Sequence, residues 1–164
     1  MDLLWLHGPA RQEVAPDVIG LLADLRAAGK VRHFGIAGRT DDLLAALDDP
    51  IFEAVMLPLN TAPGNLGPDW ARRARAAGRA VFAVEVLGKV RSNGKMTRGQ
   101  IWRAAKRISA RDEAPEISST TTPEEALNWA YDEGGADIVL MTTTSPAHLR
   151  ANIAAIGHRR FRTA

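Results

Sequence analysis

The pentapeptide Arg26-Ala27-Ala28-Gly29-Lys30 recurs as Arg75-Ala76-Ala77-Gly78-Arg79, and each copy closes a helical pattern directly before a short apolar run. A repeated helix end that turns straight into a strand is what stacked β/α units produce. Each crossover then lays the next strand parallel to the last, with a right-handed connection in nearly every case. The chain therefore reads as an α/β fold. Two architectures stay open on this ground alone: a segment of a (β/α)8 barrel, or an open parallel sheet with helices over both faces.

Five strands are expected, over 2–6, 31–37, 52–57, 80–84 and 137–141, each short, apolar and bounded by turn residues. Between them, Val18, Leu21, Leu22 and Leu25 recur at helical spacing up to Gly29, a residue suited to the left-handed turn beyond a helix end. Thr40 is placed to cap a second helix carrying Leu43, Leu44 and Leu47, and Pro68 to start a third that Gly78 closes. Thr122-Pro123-Glu124-Glu125 has the form of a capping box for a fourth, with Leu127, Ala130 and Tyr131 on one face. Ser145-Pro146 opens the last, with Leu149, Ile153 and Ile156 expected inward. A further helix within 99–109, where Ile101, Ala105 and Ile108 share a face, interrupts the alternation.

At 164 residues the chain forms one domain, ending in a basic tail over 158–164. No apolar stretch approaches the roughly 20 residues of a membrane span, and no basic segment leads into an apolar run with a cleavage site, so a cytoplasmic protein is expected. The absence of cysteine removes disulfides and thiolate metal ligands, and no metal-ligand spacing, Walker loop or dinucleotide glycine fingerprint occurs. A formal charge of +2 does not argue for nucleic acid. The basic residues from Lys89 to Arg111, however, run without an acid until Asp112. That stretch is either a solvated loop and helix face or a surface for a phosphate-bearing molecule or other anionic partner. Nucleic acid ranks lower, because Trp102 is the only aromatic there for stacking and no nucleic-acid motif is present.

Five ordered landmarks resemble the aldo/keto reductase family: Asp2-Leu3-Leu4-Trp5-Leu6-His7-Gly8-Pro9, the run from Leu25 through Gly29-Lys30-Val31-Arg32 to Gly35-Ile36, Phe52 to Asn60, Ala126-Leu127-Asn128-Trp129, and Thr142 to Asn152. The resemblance extends from Asp2 to about Ile156. It implies a partial (β/α)8 barrel whose five parallel strands correspond to the family's strands 4 to 8, the first three β/α units being absent. Two unpaired edges and an uncovered interior would follow. Such a chain is expected to pair with a copy of itself or with a complementary barrel half, or to flatten into an open sheet.

The resemblance also implies chemistry. Family members reduce carbonyls with NADPH: a tyrosine, tuned by an aspartate and a lysine, donates the proton, and a histidine orients the carbonyl. Of these four, His7 alone has a match, which makes it a vestigial or conditional catalytic residue. Tyr131, the only tyrosine, sits on the buried face of a helix pattern rather than at a strand end. Ala37-Gly38 stands where the family has Ser-Asn, and Met56 where it has a glutamine, so three contacts to the nicotinamide amide are lost. Val84-Glu85-Val86-Leu87-Gly88 replaces the stretch that supplies a stacking ring and approaches the pyrophosphate. Glu85 puts a negative charge there, which Lys89 or Arg91 could neutralise. Leu87, Gly88, Thr142, Thr143, His148 and Asn152 match cofactor-binding positions, the last four around a helix start suited to phosphate.

The expected function is thus an aldo/keto reductase-like protein, degenerate in carbonyl reduction, with a remaining phosphate or nucleotide site. Two alternatives stand beside it. One is part of an NADPH-dependent oxidoreductase completed by another chain or by upstream sequence, and the other is an anion-binding module acting through Lys89 to Arg111.

Overall fold

The structure, a computed structural model, describes residues 1–87 and 121–157. Gly88, the basic stretch from Lys89 to Arg111, the helix expected within 99–109 and the tail over 158–164 lie outside the described residues. Strands β1 (Leu3–His7), β2 (His33–Ala37), β3 (Phe52–Pro58), β4 (Ala80–Val84) and β5 (Ile138–Val139) form one parallel sheet in the order β1-β2-β3-β4-β5. The helices are α1 (Pro16–Ala27), α2 (Ala45–Asp48), α3 (Gly67–Ala76), α4 (Pro123–Asp132) and α5 (Pro146–Ile156). None of the described helices is long and apolar enough to cross a membrane.

Strand order decides between the two architectures. A sheet with helices on both faces needs its order to reverse at a switch point. Here the order is sequential, so crossovers of one hand carry the helices to one side. Alternate residues on that side, among them Phe34, Ile36, Val55, Leu57, Val81 and Ala83, form one core with Leu22, Trp70, Ala74, Leu127 and Ala130. The opposite face carries Trp5, Gly35, Met56 and Phe82, and these take no part in that core. The rings of Trp5 and Phe82 meet edge to face with centroids 4.9 Å apart. They stand on β1 and β4, roughly 14 Å apart in a flat sheet at about 4.8 Å per strand. The contact therefore requires the sheet to curl, as a barrel wall does. Gly35 makes room for it, since a Cβ there would lie 2.4 Å from the Trp5 ring.

The repeated pentapeptide has a structural meaning. Gly29 (φ +67°) and Gly78 (φ +73°) both turn the chain in the left-handed region. The arginine of each copy reaches past the strand that follows and ties down the next one. Arg26 bonds Glu53 at 2.7 Å and the Ile51 carbonyl at 3.1 Å at the foot of β3, with its guanidinium 5.3 Å from the centre of the Phe34 ring. Arg75 bonds Asp137 and the Gly135 carbonyl just before β5. The two copies thereby tie α1 to β3 and α3 to the start of β5.

Several expectations are corrected. Leu21 is 59% exposed, and on α1 the buried leucine is Leu22. The second helix is a 3-10 turn over Asp41–Leu44 running into the four-residue α2, and the Leu43 amide bonds the Thr40 carbonyl. Pro68 is the second residue of α3 rather than its first. The fifth strand shrinks to two residues, Ile138 and Val139, which pair with Phe82 and Ala83 of β4. Leu149 and Ile153 are 50% and 57% exposed, because the helix burial of α5 comes mainly from Ala155, while Ile156 packs only partly. The capping box of α4 forms as expected, with the Glu125 amide bonding Thr122 Oγ1 at 3.2 Å and the Thr122 amide bonding Glu125 Oε2 at 2.7 Å.

Candidate functional site

The C-terminal ends of β1 to β4 open onto a cavity of about 470 Å³, the end of such a sheet where ligands bind. Ile36, Ala37, Leu43, Met56 and Val84 give it apolar walls, while His7, Arg39, Thr40, Asp42 and Glu85 bring polar groups to it. His7 ends β1 opposite Ala37, is exposed, and makes no side-chain hydrogen bond to a described residue.

Above this cavity an ion pair runs from the end of β2 to the end of β4, over β3. Arg39 Nη1 donates to Glu85 Oε2 at 2.9 Å and Nη2 to Oε1, a two-pronged contact. Glu85 is the only non-glycine among the described residues with a positive φ, +56°. Such a conformation persists only where surroundings over-determine it. Here Asn60, the one buried polar side chain among the described residues at 4% exposure, donates from Nδ2 to the Glu85 carbonyl at 3.3 Å and accepts the Ala62 amide at 3.1 Å. Asn65 in turn donates to the Asn60 carbonyl at 2.9 Å and accepts the Gly67 amide at 2.9 Å, so the start of α3 anchors the network.

Arg39 and Asn60 escaped sequence reasoning. Lys89 and Arg91, named as residues that could neutralise Glu85, lie outside the described residues, and Arg39 meets its carboxylate. Arg39 and Glu85 are 46 positions apart, and no local pattern joins them.

The remaining candidates sit elsewhere. Leu87 packs against the core, and neither it nor Thr142, Thr143, His148 or Asn152 lines the mouth cavity. The last four flank or occupy α5, whose cap Ser145 accepts the His148 amide at 3.4 Å. With the Leu149 amide bonded to the Ser145 carbonyl and Pro146 lacking one, Ala147 keeps the uncommitted amide of that first turn. Tyr131 packs partly against the core and does not line the cavity. Among the described residues no cluster of three or more His, Asp or Glu could hold a metal ion.

The model of the aldo/keto reductase family matches residues 1–163. The chain belongs to the aldo/keto reductase family. Solved structures agree on the fold. Aldo-keto reductase AKR11C1 from Bacillus halodurans, in its holo form, superposes with a TM-score of 0.68 at 19% identity, over 99% of this chain and 57% of that one. An aldo/keto reductase from Brucella melitensis does so with a TM-score of 0.59 at 19% identity, over 94% and 54%. The chain thus spans little more than half the length of these relatives. A comparison with curated proteins gives no match.

The family generally uses NADP(H). The mouth of this aldo/keto reductase chain is poor in side-chain hydrogen-bonding groups for an amide. Ala37, Gly38 and Met56 have no side-chain hydrogen-bonding group for an amide, and the carboxylate of Glu85 stands at the rim. The start of α5, with exposed Thr142 and His148 beside the Ala147 amide, is chemically compatible with a phosphate.

Proposed function

We propose that this aldo/keto reductase chain does not by itself reduce carbonyls with NADPH, and that it keeps a phosphate or nucleotide site around Thr142, Thr143, His148 and Asn152. The observation that carries the reading is the mouth itself: the Arg39–Glu85 pair arches over a wall in which Ala37, Gly38 and Met56 offer an amide nothing to bond. Each buried amide group left unpaired costs on the order of 1 to 3 kcal/mol. Losing several partners weakens the nicotinamide end by orders of magnitude, whatever sequence accompanies this chain.

Titration with NADPH and with adenosine 2′,5′-bisphosphate tests this. Binding of the bisphosphate with weak or no added affinity from the nicotinamide half supports the reading. Tight NADPH binding together with turnover of an aldehyde panel, abolished by His7→Ala, overturns it.

A second reading, part of an oxidoreductase completed by another chain or by upstream sequence, draws support from the uncovered curled face. Trp5, Met56 and Phe82 lie outside the core, and Ile138 and Leu140 are exposed beside them at the β5 edge. Coding sequence ahead of Met1 that supplies an Asp, Tyr and Lys pattern, together with reductase activity of the extended protein, is the result it requires.

A further inference from the structure

The Arg39–Glu85 contact has the form of a binding site with its ligand already in place. A planar guanidinium that meets both oxygens of a carboxylate from Nη1 and Nη2 is how proteins recognise carboxylates in general. Here the carboxylate belongs to the chain, and it is held in a conformation that a residue with a side chain adopts at a cost, φ +56°. Glu85 is tied on its other side by Asn60 through its carbonyl, so its carboxylate can swing away without disturbing that bond. Arg39 has no other side-chain partner among the described residues and its side chain is 60% exposed, so its fork is open to a ligand from solvent when Glu85 leaves.

The space beside the pair suits an organic body. The cavity, about 470 Å³, lies in the size range of small-molecule sites, and the part-exposed Met56 and Val84 line it. Asp42 is already engaged, accepting from the Arg11 amide at 3.2 Å and the Thr40 hydroxyl at 3.0 Å. Among the described residues, Arg39 is the one cationic group with a fixed charge at the cavity, and His7 is the other nitrogen-bearing side chain there.

We propose that the mouth binds a small monocarboxylate with an apolar body, which takes the Arg39 fork in place of the Glu85 carboxylate and rests its hydrocarbon part on Met56 and Val84. Glu85 is then an internal competitor. A singly charged, planar anion is favoured because it reproduces the charge and shape that Glu85 presents. A phosphate dianion brings extra charge next to the displaced glutamate. The site does not use the start of α5, so it stands apart from the phosphate reading, and it occupies the Met56 and Val84 wall where the nicotinamide end would otherwise lie.

The test is a titration of the purified chain with benzoate, with benzamide as the uncharged control and inorganic phosphate as the competing anion. Binding is read from the Arg39 Nε–H resonance and by calorimetry. Benzoate is expected to bind weakly to the unaltered chain and about tenfold or more tightly to Glu85→Gln, which removes the competing charge at constant size. Glu85→Gly, which also relieves the backbone, is expected to tighten binding as well, and Arg39→Ala to abolish it. Glu85→Gln and Arg39→Ala are checked for an unchanged circular dichroism spectrum. The proposal is overturned if both glutamate variants bind benzoate no more tightly than the parent, if Arg39→Ala binds it equally well, or if benzamide or phosphate binds as tightly.

Discussion

Replacing Gly67 with alanine sets two effects of opposite sign against each other. Gly67 is the first residue of α3, where alanine favours the helix over glycine by at most about 1 kcal/mol. A Cβ at this position, however, would lie 2.1 Å from the carbonyl oxygen of Pro58 and 3.2 Å from its carbon. Both are backbone atoms at the end of β3, so no side chain can rotate out of the way. Relief requires α3 to move by roughly 1 Å, and α3 carries buried Trp70, Ala71 and Ala74. Overpacking of this kind costs about 1 to 3 kcal/mol. The packing term wins, and a net loss of about 1 to 2 kcal/mol is expected. With a urea slope near 2 kcal/mol per molar, the unfolding midpoint falls by about 0.5 to 1 M. The same shift disturbs the Gly67–Asn65–Asn60 bonds and so moves the amide resonances around Glu85. Gly20→Ala on α1 is the control, since a Cβ there meets nothing within 4 Å and its φ is not positive. It is expected to stabilise by up to about 1 kcal/mol. Equal midpoints for Gly67→Ala and the parent, or a higher one, would refute the reasoning.

Asn60→Ala leaves the buried Ala62 amide without its acceptor and the Glu85 carbonyl without its donor, a loss expected at about 1 to 3 kcal/mol in chemical denaturation. An unchanged midpoint would mean that the network contributes nothing. Glu125 gives the pH prediction: the Thr122 amide, and after it the Thr122 hydroxyl, hold its carboxyl below the ordinary range. A folded-state value lowered in this way means that the ionised cap stabilises α4 above the unfolded value and that this contribution fades as pH falls through the folded one. Melting temperature is therefore expected to drop more steeply on acidification from about pH 6 to about pH 3 in the parent than in Glu125→Gln. Parallel slopes would count against it.

Much of the wall could be read directly. The bounds of β4 were the expected ones, and the α4 capping box and the left-handed Gly29 and Gly78 followed from local residue types. Local chemistry suffices there because the interacting atoms lie within a few residues of each other. Helix faces were harder. Leu21, Leu149 and Ile153 fit an apolar stripe, yet whether a stripe is covered depends on what stands opposite, which periodicity does not carry. The family resemblance located the mouth through His7, but not the pair that dominates it.

What the sequence determined by itself is a run of parallel β/α units, because helix ends, turn glycines and crossover direction are local properties of each unit. The tertiary structure alone decided that the described helices share one face and that the sheet curls until Trp5 meets Phe82. It also brought Arg39 onto Glu85, held in place by a buried Asn60. Those outcomes rest on contacts between residues far apart in the chain, whose geometry exists only once the strands have taken their order.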